Sequence, residues 1–407
     1  IALTATSQDI LIDTASSVTA ATSSATMNAG RDISMNGAST LSAGTFVDMD
    51  ASQDILINGA STTTAGSYVD MNAGRDILVD GDSDITATSS YVAMTAGQNI
   101  AITDRTDVSA ATSVSLTAFG NITLADSSTL TAGTFVLLDA GGDITVSLNS
   151  DVWAQGGDIT AMADGSVLIQ DTSTLLASMG IDLDAVAGAI SVLRNSSVTS
   201  EDGSIDADAG TDILFDDMIS LLASDNVLLT AGGNITASNN VDTTATNGHV
   251  ITDSGADILV TSTSTILAGT YVSMLAVGAI RVTSSSSVKA ENSYVKGLAG
   301  TDFDLLDDSE IIGFTDVELD ARDNLAIDSA TGFSSVTANN GDIVLSAGDD
   351  IFISPTAIVQ TEDLDDSGDG DERQESIQIL GDQIDTDDEG TNILIEGQIL
   401  GQHVLIA

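Results

Sequence analysis

Val69-Asp70-Met71-Asn72-Ala73-Gly74-Arg75-Asp76-Ile77-Leu78-Val79, followed by Ile85-Thr86-Ala87, decides the fold of this 407-residue chain. Apolar and polar residues alternate in three short runs: Val69, Met71 and Ala73; Ile77 and Val79; Ile85 and Ala87. Alternation with a period of two means extended strands with one buried face. The runs are separated by a few small or polar residues, too few for a helix. The same unit returns along the chain. An Asp or Asn followed by an apolar residue stands at Asp9, Asp32, Asp54, Asp76, Asn99, Asn121, Asp143, Asp212, Asn234, Asp257, Asp302 and Asn324, with degenerate copies at Ser166, Ala189 and Ala279. Successive anchors are 22 or 23 residues apart.

Each repeat therefore predicts three strands. The first starts one residue after the anchor. The second carries an apolar residue nine positions after it, as at Leu41 and Leu130, and alanine at eleven, as at Ala43 and Ala132. The third reads Val-x-Met/Leu-x-Ala, as in Val47, Met49 and Ala51. Three strands make one triangular coil. A lone coil cannot bury its inward residues, but stacked coils can, about 4.8 Å apart. The expected fold is an all-β, three-sided parallel β-helix with coils of 22–23 residues. About seventeen such coils would extend roughly 80 Å. The glycine of Ala73-Gly74-Arg75-Asp76 is read as supplying a positive φ, and the anchor as capping its own turn.

Composition agrees with a thin core. Aromatics are 3 % of the chain, so a thick globular core is not expected. Net charge is −52, which excludes nucleic acid and anionic membrane surfaces as partners and favours divalent cations, high salt or cationic partners. Hydrophobic residues are 42 % and patterned, which argues against disorder. There is no cysteine, hence no disulfide or thiolate site. No apolar run is long enough for membrane insertion. Without an initiator Met or signal peptide, Ile1 is read as the start of a processed chain or a fragment.

The turn-and-strand units Ala140-Gly141-Gly142-Asp143-Ile144-Thr145 and Ala231-Gly232-Gly233-Asn234-Ile235-Thr236 resemble those of filamentous-haemagglutinin-like bacterial surface proteins. The resemblance covers roughly residues 1–354; the secretion domain of that family is not visible. It implies a right-handed β-helix, an extracellular or cell-surface location, and a role as adhesin, fibre or toxin stalk.

Three divisions are expected: a β-solenoid over 1–354, an acidic loop over 355–376, and strand-like coils or an end contact over 377–407. Within the acidic stretch, Asp365-x-Ser367-x-Asp369-Gly370 matches the first half of an EF-hand-type calcium loop. Candidate calcium ligands are Asp363, Asp365, Ser367, Asp369, Asp371 and Glu375, although the twelfth position is Ser376 and Glu375 falls one place early. The alternative is a solvated acidic loop. The anchor column could likewise hold cations, against a plain capping role.

The outward positions of the second strand are rich in hydroxyls, such as Thr40, Ser42, Thr62 and Thr64, interrupted by apolar Trp153, Leu176, Leu222 and Leu267. The hydroxyls fit ordinary strand preference, with ice binding or sugar contact as remoter readings; the apolar entries point to lateral packing on another chain. Catalytic residues are not expected. The strict period leaves no room for cleft-building loops, and the two histidines, His249 and His403, have no metal spacing. Neither end carries a polar cap. Ile1, Leu3, Val404 and Ile406 are therefore expected to mediate head-to-tail stacking of copies into a homopolymer. The function expected is a structural fibre subunit or segment; an adhesin shaft contacting carbohydrate is the alternative, and a polysaccharide-degrading enzyme a distant third.

Overall fold

The computed structural model describes residues 1–330, 332–362, 375–381 and 392–407. Two compact units divide the chain, Ile1–Gly203 and Ser204–Ala407. Each is a three-sided parallel β-helix, as the 22–23-residue period predicts.

In the first unit every coil contributes a strand to each of three faces. The first face runs from Ile10–Ile12 to Ile190–Leu193, the second from Ser17–Ala20 to Ser197–Ser200, and the third from Ala2–Ala5 to Ile181–Ala185. In the second unit the third face runs from Ile205–Ala209 to His403–Ile406, the first from Ile213–Asp216 to Ile393–Ile395, and the second from Ser220–Ala223 to Gln398–Leu400. No helix occurs among the described residues.

Pairing is parallel and like stacks on like. Val47 pairs with Val69 and that with Val92; Met49 pairs with Met71 and that with Met94. Ile55, Ile77 and Ile100 form another column. These inward residues are 0–1 % exposed. Burial in most strands alternates as the sequence does, because successive side chains point to opposite faces of the pleat. The few inward polar residues are mostly small: Thr63 and Thr243 replace the usual aliphatic residue and are about the size of valine.

The turn from the first to the second face departs from ordinary backbone. In every coil of the first unit it holds two consecutive residues with positive φ, from Thr14 and Ala15 to Arg194 and Asn195. Only three of these are glycine: Gly37, Gly59 and Gly81, at φ 63°, 65° and 64°. Leu148 at φ 55° and Arg194 at φ 57° hold the same left-handed conformation despite their side chains, at a cost of roughly 1–2 kcal/mol each. The neighbouring coil holds them there. The amide of Ser127 donates to the carbonyl of Leu148, and that of Asn149 to Asp171, both at 2.8 Å.

The glycine before the anchor has a different role from the one expected. Gly74 lies outside the positive-φ glycines. A Cβ there would collide with the carbonyl oxygen of Ser52 in the preceding coil, and one at Gly97 would collide with that of Gly74. The constraint is the close approach of stacked corners, which sequence read one coil at a time does not reveal.

Beyond Asn324 the spacing widens to 26 residues at Asp350, yet the coils continue. Ala357–Thr361, in the stretch expected to be acidic loop, is a second-face strand paired with Ser334–Ala338. Ser376–Leu380 pairs with Ile343–Ala347. The division at residue 354 therefore falls inside the solenoid.

Leu148→Gly relieves a left-handed leucine whose side chain is 48 % exposed and contributes little packing. It is expected to raise unfolding free energy by about 1 kcal/mol, read as a higher midpoint in urea.

Candidate functional site

What recurs at the corners is a set of side-chain ladders running from coil to coil. The anchor is the first. Asp54 donates its amide to Oδ1 of Asp32 at 3.1 Å, Asn99 to Asp76 at 3.0 Å, Asn121 to Asn99 at 2.9 Å and Asp143 to Asn121 at 2.8 Å. The amide of Ser166 continues the ladder to Asp143 at 2.8 Å, and Oγ of Ser166 accepts from Ala189 at 3.2 Å. In the second unit Asn234 donates to Asp212 at 2.7 Å, Ala279 to Asp257 at 2.8 Å and Asn324 to Asp302 at 3.2 Å. The anchor thus caps the equivalent residue one coil on, not its own turn. This explains the residue choice: Asp, Asn and Ser each offer a side-chain acceptor oxygen, while Ala189 and Ala279 end a ladder, their amides donating but their side chains offering no acceptor to the next coil.

A second ladder went unread in the sequence. Ser39, Ser61, Ser83, Ser128, Ser150 and Ser173 are fully buried. The amide of Ser61 donates to Oγ of Ser83, that of Ser128 to Ser150, and that of Ser150 to Ser173, each at 3.2 Å. The hydroxyl of Ser61 in turn donates to the carbonyl of Asn58 at 2.7 Å. Each hydroxyl braces the left-handed turn and caps its neighbour. The signal was a serine seven residues after most anchors, lost among the many serines of the chain.

The residue that precedes the third-face strand forms the third column. Phe46, Tyr68 and Tyr91 stack with centroids 4.9 and 5.0 Å apart and planes within 8°. His249, Tyr271 and Tyr294 stack at 4.6 and 5.0 Å. Where the ring is missing an Asx ladder takes over: Gly180 donates to Asp158 at 2.7 Å and Asp342 to Asp316 at 2.9 Å. His249 is thus a stacking member, its imidazole held below its usual pKa by burial.

Charge is managed by the same geometry. Arg31 pairs with Asp9, and Arg75 with Asp54, at anchors where aspartates succeed one another. Arg105 reaches Asp82 at 2.8 Å, Arg194 reaches Asp171 at 2.6 Å, Arg281 reaches Asp304 at 3.0 Å and Lys296 reaches Glu318 at 2.9 Å. All six cations bridge to an acid about one coil away. Such exposed pairs contribute little singly. The hydrogen bond from Arg31 holds the Asp9 carboxyl below its usual range.

The third face of the first unit has no such relief. Asp48 stacks on Asp70 in register, and Asp50 flanks both. Partial burial, then the charge of Asp50, pushes both carboxyls above their ordinary range, Asp70 adding to the effect on Asp48. Asp206 shows the same effect in the second unit, from burial and then Asp208.

The candidate calcium ligands Asp363, Asp365, Ser367, Asp369 and Asp371 lie outside the described residues. Glu375 is buried, and its backbone carbonyl accepts from the amide of His403 at 3.3 Å. Among the described residues no group of three or more His, Asp or Glu is arranged to hold a metal ion. The end residues do fall where the pattern places them. Leu3 is in register with Met27, and Val404 and Ile406 with Ile377 and Ile379. Met27, Ile377 and Ile379 are 0–2 % exposed, whereas Val404 and Ile406 are 46 % and 50 % exposed and Ile1 is 46 % exposed.

Comparison with protein-family models, curated proteins and solved structures finds no match in any of the three.

Two measurements test the ladders. Asp143→Asn keeps the acceptor and is expected to leave the thermal midpoint unchanged, while Asp143→Ala loses about 1 kcal/mol; equal losses would point to a bound cation instead. For Asp70 the folded chain holds its proton more tightly than the unfolded chain. Stability therefore falls as pH rises from the ordinary carboxylate value through the raised one. Asp70→Asn is expected to melt above the parent protein at pH 7, and the gap should close on acidification below the ordinary carboxylate range.

Proposed function

We propose that this chain is a structural segment of an extracellular or cell-surface fibre, extended by stacking coil on coil, without a catalytic role. The observation that carries the reading is the state of the outermost coils. Leu3, Val404 and Ile406 occupy core columns but are open on one side. A further coil of the same cross-section, from the same polypeptide or from a second copy, would continue the strand pairing and the core columns. A translational contact of this kind does not close on itself and so builds a filament. The resemblance of the Gly-Gly-Asp/Asn-Ile-Thr units to filamentous-haemagglutinin-like surface proteins supports an exported fibre element.

Calcium belongs to the same reading. The carboxylates of Asp363, Asp365, Asp369 and Asp371 supply oxygen ligands for a hard cation, and bound cations would offset part of a net charge of −52.

Negative-stain electron microscopy at physiological salt provides the test. Filaments are expected from the parent chain and separate particles from the double variant Leu3→Asp, Ile406→Asp. Separate particles from both would exclude assembly through these edges.

A further inference from the structure

Trp153 is the only tryptophan of the chain, and it stands on the outward side of the second face with 44 % of its surface exposed. In the preceding coils the same column holds Thr19, Ser42, Thr64, Thr86, Ser109 and Thr131. An indole stands where the preceding coils carry hydroxyls, on an in-register parallel sheet. Its neighbours are defined by that register: Thr131 one coil before, half-buried Leu176 one coil after, and Asp151 two residues earlier on the same strand. Asp151 in turn lies between Thr129 and Thr174 in its own column. Thr129 already donates to Asp107 at 2.5 Å. Among the described residues neither the indole N–H of Trp153 nor the Asp151 carboxylate has a hydrogen-bond partner.

We infer that Trp153 and Asp151 form a subsite for an uncharged glycan. The axial C–H groups of a pyranose make one apolar face that lies flat on an aromatic ring, while its hydroxyls radiate around the edge. The indole with Leu176 supplies the apolar platform. The indole N–H, the Asp151 carboxylate and the Thr131 and Thr174 hydroxyls supply partners beside it. Strand spacing of about 4.8 Å sets these groups at intervals close to the length of one sugar ring, so a linear oligosaccharide can follow the column.

Area selects this occupant over the lateral packing that the apolar entries of the sequence pointed to. Trp153 and Leu176 are the only adjacent apolar pair in this column of the first unit, far short of the roughly 800 Å² per partner that a stable protein interface buries. The chain carries a net charge of −52. Its field excludes uronic-acid and sulfated chains. This inference does not rest on the fibre reading, and either can fail alone.

The single tryptophan makes its fluorescence a report on this site. The parent chain is titrated with cellohexaose and mannohexaose, with hexagalacturonate as the anionic control, and binding is checked by affinity electrophoresis in gels containing the matching neutral polymers. Trp153→Thr restores the residue type of the column and so should fold; sedimentation and circular dichroism verify it. Expected are a saturable fluorescence change with at least one neutral hexamer, none with hexagalacturonate, and gel retardation reduced tenfold or more in Trp153→Thr and in Asp151→Ala. Retardation unchanged in Trp153→Thr, or no response to either neutral hexamer, overturns the proposal. A parent dimer in sedimentation that dissociates in Trp153→Thr overturns it in favour of self-association.

Discussion

No coil of this protein can satisfy itself. A parallel strand sends its backbone N–H and C=O groups to the strands on either side, and each side here is the next turn of the same chain. The inward residues of one coil likewise have no opposite layer except the coil's own other two faces. Most backbone bonds, the anchor caps and much of the apolar burial are thus nearest-neighbour interactions along the stack. Whatever fits at one position must fit beside a copy of itself about 4.8 Å away.

That constraint explains the residues chosen at each position. Inward columns repeat Val, Ile, Leu, Met and Ala, which stack on their own kind without wasted space. Corner columns repeat residues that can bond to the next copy through one oxygen, such as Asp, Asn or Ser, or stack on it through a ring, such as Phe46, Tyr68 and Tyr91. Charged columns are the difficult case, because a like charge always lies nearby. The chain answers by alternating Asp with Asn and Ser at the anchors and by setting Arg31 and Arg75 where aspartates run consecutively. On the third face Asp48, Asp50 and Asp70 remain crowded, and their raised carboxyls record it. A repeated column also makes a departure visible: the indole of Trp153 among hydroxyls has no counterpart in the coils before it.

The same constraint accounts for backbone that would be strained in isolation. Pairs of left-handed residues such as Leu148 and Asn149 persist because each turn is clamped between two others, through the backbone bonds across the stack and the serine hydroxyls beneath. The cost is spread along the stack, and so is the stabilisation.

The 22–23-residue period, the alternation within each run and the position of the anchor were legible in the amino-acid sequence alone. They determined three strands per coil, parallel stacking and the identity of the core columns, because strand periodicity is a local property and repetition reveals what stacks on what. The end residues Leu3, Val404 and Ile406 were legible for the same reason. Three features were decided only by the folded chain. The anchor's oxygen reaches the next coil's amide, not its own turn. Gly74 avoids the carbonyl of Ser52, not a forbidden φ. The buried serines cap one another from coil to coil. All three are relations between residues about 22 positions apart, and the sequence shows the period of such a relation without showing which atoms meet across it.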